Sequence, residues 1–255
     1  MAFVICIVPA APLRKEDAHR SEMISQLLFG ELAEVLEATK SFTRIRCAYD
    51  GYEGWCQSNQ LAEMDEAKAN TISKAITSDW DTILSVNGGS MHIPIGSSLG
   101  FLENGQAVIG KFSIACTANL YDPETAMISA DAIKAKSLQY LNTPYLWGGR
   151  SVYGIDCSGF VQQVFRYFNI VLPRDAYQQA GEGESVGFLQ EAQCGDLAYF
   201  DNEEGRITHV GILFNQDTII HASGKVRIDK IDNMGIVNGD TGERTHKLRL
   251  IKRYF

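Results

Sequence analysis

The chain has 255 residues, 45% of them hydrophobic and 21% charged, an ordinary globular composition with length for one to three cores. The formal net charge of −8 disfavours duplex nucleic acid as a partner. No apolar run approaches the roughly 18 residues of a membrane-spanning helix.

The longest apolar run, Ala2 to Pro12, reads as a buried strand ending at Pro9 and lacks the positive leader of a secretory signal. The segments "EMISQLLFG", "ELAEVLEAT", "FTRIRCAY" and "EGWCQ" then alternate with turn residues, as in a small β-barrel. Asp50-Gly51 in "AYDGYEGW" is a hairpin signal. This "DGYEGW" arrangement resembles the bacterial SH3-like (SH3b) domains, which implies such a domain over residues 1–65. Residues 66–124 repeat the pattern in "DTILSVNG", "SMHIPIGSSLG", "FLENGQAVIG" and "KFSIACTANL", and a second SH3-like barrel is expected there.

After "YDPET" the texture changes. Ser129 can cap a helix running from about Ala130 to Leu141, which Asn142-Thr143-Pro144 ends. "YLWGGRSVYGID" is a glycine-rich loop leading to Cys157. Phe160, Val161, Val164, Phe165 and Phe168 follow at helical spacing. "GDLAYFD", "ITHVGILFN", "DTIIHASG" and the terminal "THKLRLIKRYF" read as strands. Helices followed by an antiparallel sheet predict an α+β domain over residues 125–255.

Six cysteines occur, with no CxxC pair and no Cys/His zinc spacing, so no metal or other cofactor is expected. Five of them read as reduced core thiols. That usage favours the cytoplasm, or the periplasm or cell envelope if a signal precedes this sequence.

Cys157 differs from the others. At the start of a helix, unpaired N–H groups and the helix dipole stabilise a thiolate, and a nearby imidazolium can bring the thiol pKa to roughly 3.5–7.5. Ser158 and Gly159 keep the first turn small, and the Cys157 N–H can donate to an oxyanion. Of five histidines, His209 and His221 stand on two strand patterns joined by "FNQDT". A turn centred on Gln216 pairs Gly211 with His221 and His209 with Ser223, which makes the histidines diagonal neighbours about 7–8 Å apart on one face. Gly211 leaves room beside an imidazole. His209 then suits a general base and His221 the group that orients it.

"YLWGGRSVYGIDCSGFVQQVF", "LPRDAYQQA", "CGDLAYF", "THVGILF" and "IIHASG" occur in this order and resemble the NlpC/P60 cysteine peptidases, papain-like enzymes that cut bacterial cell-wall peptides. With SH3-like regions upstream, the resemblance extends to a subfamily of γ-D-glutamyl-L-diamino acid endopeptidases. It implies Cys157 as nucleophile, His209 as base, His221 as the orienting residue and Tyr145 near the oxyanion. It implies Asp156, with a tyrosine and an acid from the first SH3-like domain, as the subsite for a free N-terminal amine. Tyr52 and Glu22 are the choices here, with Glu31 as a second candidate acid. Ser158, Arg174 and Asp175 fall beside the nucleophile, near the D-glutamyl α-carboxylate. Relatives can carry serine after the Arg-Asp pair where this chain has Ala176, one hydroxyl fewer.

The expected substrates are murein-derived peptides of the type L-Ala-γ-D-Glu-L-diamino acid, taken by a monomer. Two other readings stay open at this point. One is a wall-binding module with a degenerate hydrolase, the other a papain-like amidase or acyltransferase.

Overall fold

The computed structural model describes residues 2–255, which divide into two compact units. The first comprises residues up to Thr125 together with Trp147–Tyr153, and the second comprises Ala126–Leu146 and Gly154–Phe255.

The first unit opens with β1 (Phe3–Cys6), β2 (Ala10–Arg14), β3 (Met23–Leu28), β4 (Leu32–Ala38), β5 (Phe42–Cys47), β6 (Glu53–Gln57) and β7 (Leu61–Met64). They form one antiparallel sheet in the order β3-β2-β6-β5-β4-β1-β7. The first strand stops at Cys6 and not at Pro9, and the chain re-enters the sheet as β2 with Pro12 inside it. Pro12 has no N–H to give a ladder, and it sits where β2 is paired to β3, with β6 reaching only Arg14. Val4, Cys6, Leu13, Leu27, Ile45, Cys47 and Cys56 fill one side of this sheet.

After α1 (Glu66–Ala69) and the short β8 (Ile76–Thr77) come β9 (Asp81–Val86), β10 (Gly89–Pro94), β11 (Gln106–Ile109), β12 (Phe112–Ala115) and β13 (Leu120–Tyr121). Four of them form a sheet ordered β10-β9-β12-β11. Ile5, Phe29, Met64, Leu84, Ile93, Leu99 and Ile114 make a second apolar core, contributed by both sheets of this unit. Gly30 is confined to glycine: its φ is +77°, and a Cβ there would lie 1.8 Å from the Ser98 carbonyl oxygen.

Segment 147–153 is held in this unit by a buried ion pair. Arg150 is fully buried and directs its guanidinium at both Glu31 carboxylate oxygens, 3.1 and 3.3 Å away, and at the Gln26 carbonyl, 2.7 Å away. Its backbone N–H donates to Gln26 Oε1 at 2.7 Å, and Glu31 also accepts from the Leu28 N–H. Within the stretch expected to be a loop, Arg150–Ser151 forms the short β14 and Gly154–Ile155 the short β15.

In the second unit, Ser129 caps α2 (Ala130–Leu138) by accepting from the Ala132 N–H. The helix ends three residues before Leu141; Asn142 then takes a left-handed φ of 68°, which turns the chain away. α3 (Cys157–Arg166) and α4 (Ala176–Gln179) precede β16 (Glu184–Val186), β17 (Leu197–Asp201), β18 (Ile207–Asn215), β19 (Thr218–Ser223), β20 (Lys225–Asp232), β21 (Gly235–Val237) and β22 (Arg244–Arg253). The sheet runs β22-β17-β18-β19-β20-β21, and β21 pairs back to β22, so these six strands close into a barrel with β16 added outside β22. β20 and β21 are absent from the sequence reading, yet they close the barrel. Phe200, Leu213, Ile219, Ile231, Ile236 and Ile251 belong to its core. Among the described residues no helix is long and apolar enough to cross a membrane.

Replacing Arg150 by Met leaves the Glu31 carboxylate buried without its cation. The expected cost is about 3–5 kcal/mol of first-unit stability, measured by urea titration with hydrogen exchange resolving that unit. The double variant R150M/E31Q should recover part of it. A single variant as stable as the parent contradicts the ion pair's role in holding segment 147–153.

Candidate active site

Asp156, in extended conformation, is the N-cap of α3, and its Oδ1 accepts from the Gly159 N–H at 2.7 Å. Cys157 is therefore the first helical residue, with its sulfur beside the unpaired donors of the first turn. Every residue of α3 is buried.

The register between β18 and β19 pairs Gly211 with His221, Ile212 with Ile220 and Leu213 with Ile219, as the turn about Gln216 predicts. The imidazoles meet edge to face, with His209 Nε2 2.8 Å from His221 Nδ1. Gly211 makes this possible, because a Cβ there would sit 2.8 Å from that of His221. Two further residues complete the line, and neither was identified from sequence. His221 Nε2 lies 2.9 Å from Asp229 Oδ2, on β20. His246, on β22, stacks on the His209 ring with centroids 4.1 Å apart.

Arg174 is buried and reaches Asp156 with two nitrogens and Ser158 Oγ with one, the last at 2.9 Å. Asp156 is thus both helix cap and ion-pair partner. Asp175 caps α4, where the Gln178 side chain accepts from its N–H at 3.3 Å. Ala176 is the first residue of that helix and is buried. Tyr145 is half-buried and held by its N–H to the Gly224 carbonyl. Burial raises its phenol, and the charges of Cys157 and Asp156 raise it further.

The second unit therefore contains Tyr145, Asp156, Cys157, Ser158, Arg174, Asp175, His209 and His221, with Asp156, Ser158 and Arg174 in one hydrogen-bonded group and His209 and His221 in another. Tyr52 and Glu22 belong to the first unit. Tyr52 packs at the edge of that unit's core, and Glu22 accepts from the Trp147 indole N–H at 2.9 Å. Glu31 is the buried partner of Arg150. Among the described residues no cluster of three or more His, Cys, Asp or Glu is arranged to hold a metal ion.

Residues 142–244 match the NlpC/P60 family, and residues 13–61 match the bacterial dipeptidyl-peptidase Sh3 domain. The chain carries an NlpC/P60 domain together with an SH3 domain of that bacterial type. It is 29% identical over 222 residues to the gamma-D-glutamyl-L-lysine dipeptidyl-peptidase of Bacillus subtilis strain 168, covering 78% of this chain and 71% of that protein. It is 27% identical over 258 residues to dipeptidyl-peptidase 6 of Lysinibacillus sphaericus, covering 89% and 91% of the two chains. The crystal structure of an NlpC/P60 family protein from Bacillus cereus ATCC 10987 superposes with a TM-score of 0.83 over 99% of both chains, at 19% identity, and shares the fold.

In the NlpC/P60 domain, the resting protonation state differs from the one that the helix position suggests. Burial, then the charge of Asp156, pushes the Cys157 thiol up to about 12, against the Val210 N–H, Arg174 and the Ser158 N–H. Burial, then the neighbouring His221 and His246, holds His209 well below the ordinary imidazole value. Desolvation of both groups opposes the charges that the helix terminus alone would favour, and drives the thiol and the imidazole toward their neutral forms. The His246 imidazole is held down to about 4 by burial and by His221.

Alkylation of Cys157 by iodoacetamide should accordingly rise about tenfold per pH unit between pH 7 and 10, because the thiolate is the reactive form and its pKa lies above that window. A rate that is flat from pH 5 to 8 identifies a thiolate–imidazolium pair instead. Gly211→Val overfills the contact with His221, and a loss of about 1–3 kcal/mol is expected in urea unfolding of the second unit. An unchanged midpoint contradicts the close packing.

Proposed function

We propose that this protein is a cysteine endopeptidase that hydrolyses the γ-D-glutamyl–L-diamino acid bond of murein stem peptides bearing a free N-terminal L-Ala, the diamino acid being L-Lys or diaminopimelate. The observation that carries the reading is a thiol at the first residue of a buried helix, in one unit with a hydrogen-bonded His209–His221 pair on adjacent strands. The name of the Bacillus subtilis relative points to the same bond.

In this reading His209 removes the Cys157 proton as the sulfur attacks the γ-carbonyl carbon, so that charge develops only with bond formation. The oxyanion is held by the Cys157 N–H and the Tyr145 hydroxyl. The tetrahedral intermediate collapses to a thioester, and His209 returns the proton to the departing amine. A water, deprotonated by His209, then releases L-Ala-γ-D-Glu and regenerates the thiol.

A γ-linkage leaves the D-Glu α-carboxylate free beside the scissile bond, and the substrate's amine lies one residue further on. The Arg174–Asp156 ion pair offers the complement of that zwitterion: the guanidinium and Ser158 for the carboxylate, Asp156 for the ammonium. The papain-like α+β description of residues 125–255 and a second SH3-like domain over residues 66–124, after the first at 1–65, belong to the same proposal.

Cys157→Ala should lower kcat on L-Ala-γ-D-Glu-L-Lys by on the order of 10⁶-fold, followed by mass spectrometry of released L-Ala-γ-D-Glu. Retained turnover removes Cys157 as nucleophile, and a transfer product in place of the free acid favours an acyltransferase. Acetylating the substrate's N-terminal amine should lower kcat/KM by about 10–100-fold. An equal value for both substrates refutes the amine subsite.

A further inference from the structure

The His209–His221 pair leaves one question open. Each neutral imidazole has one donor nitrogen and one acceptor, and only one arrangement leaves the Nδ1 of His209 with a free lone pair. Asp229 supplies what decides it. Its side chain is almost fully buried, and both carboxylate oxygens are surrounded by donors. Oδ2 lies 2.9 Å from His221 Nε2 and 2.7 Å from Arg227 Nε. Oδ1 accepts from Arg227 Nη2 at 2.9 Å and from the Gly239 N–H at 2.8 Å. Arg227 is itself held by Asp240 and Asn238, so the loop carrying Gly239 is tied to the same carboxylate.

We propose that Asp229 is a positioning residue that fixes the proton on both histidines of the relay. An ionised carboxylate can only accept, so His221 must carry its proton on Nε2. With one proton on the ring, His221 Nδ1 is then an acceptor, and His209 places its own proton on Nε2 to meet it across 2.8 Å. That leaves the Nδ1 lone pair of His209 as the base. The acidic residue thus acts two imidazoles away from the sulfur, without touching substrate. Burial opposes its charge, but the hydrogen bonds from His221, Arg227 and Gly239 hold the carboxyl well below the usual carboxylate range, so the accepting form is the one present. His246, stacked on His209, keeps the ring plane that this proton path needs.

The inference rests on the cysteine-peptidase reading for its kinetic consequence but not for its structural one. Asp229→Asn retains the shape and removes one acceptor. Neither Arg227 nor the Gly239 N–H can accept a hydrogen bond, whereas His221 can by changing tautomer. The asparagine NH₂ therefore turns to His221, His221 protonates on Nδ1, and His209 is driven to protonate on Nδ1. In ¹⁵N-histidine NMR of the full-length protein, both rings should be protonated on Nε2 in the parent and on Nδ1 in the variant. The kcat for the tripeptide should fall about 10²–10⁴-fold, with KM within about threefold. Parent spectra showing His221 protonated on Nδ1 overturn the proposal even if the variant does not fold. So do variant spectra with unchanged tautomers, or switched tautomers with unchanged kcat. If the parent cleaves no γ-D-glutamyl peptide, the proposed substrate fails while the parent spectra still decide the role of Asp229.

Discussion

The site depends on one backbone register. β18 and β19 pair so that Gly211 faces His221, and this places two imidazoles on the same side of the barrel at hydrogen-bonding distance. A slip of one residue would turn His221 to the other face, because side chains alternate along a strand. The register is specified twice over. Ile212, Ile219 and Ile220 are fully buried and tie the hairpin to its apolar surroundings, and the missing side chain at Gly211 leaves room for the His221 Cβ. Closure of the barrel through β21 and β22 then brings His246 onto His209 and places β20, carrying Asp229, beside β19.

Around that register the site is assembled from groups that hold one another. Asp156 terminates the helix carrying Cys157 and also receives Arg174, so helix cap, nucleophile and cation are coupled. The cost is desolvation. A thiol and an imidazole this deeply buried are each driven toward the neutral form, and the helix terminus, which alone would favour a thiolate, does not overcome that. Neutral partners suit a mechanism in which proton transfer accompanies attack. They also place a premium on the tautomer of His209, since a neutral base facing its thiol with the wrong nitrogen has no function.

The first unit shows the same logic in a structural setting. Arg150 lies far from Glu31 in sequence, yet the two meet in the interior with Gln26 and the Leu28 N–H satisfying what remains. A buried charge pair of this kind specifies one position for segment 147–153, since any other leaves a charge without its partner.

Much of this was legible in the order of residues. The helix start at Cys157, the Ser129 cap and the His209–His221 geometry follow from local spacing and period-2 alternation, which depend on neighbours a few residues away. What the sequence could not supply was long-range pairing. Asp229 is a buried acid on a strand whose Ile228 is exposed, so the pattern of β20 does not single it out, and only closure of the barrel brings His246 of β22 onto His209. Likewise nothing local in "GGRSV" shows that Arg150 will be buried against Glu31. The sequence by itself determined the helix start at Cys157 and the face that His209 and His221 share. Only the tertiary structure decided which carboxylate meets His221 and how deeply the thiol is buried, because both are set by contacts between segments distant in the chain.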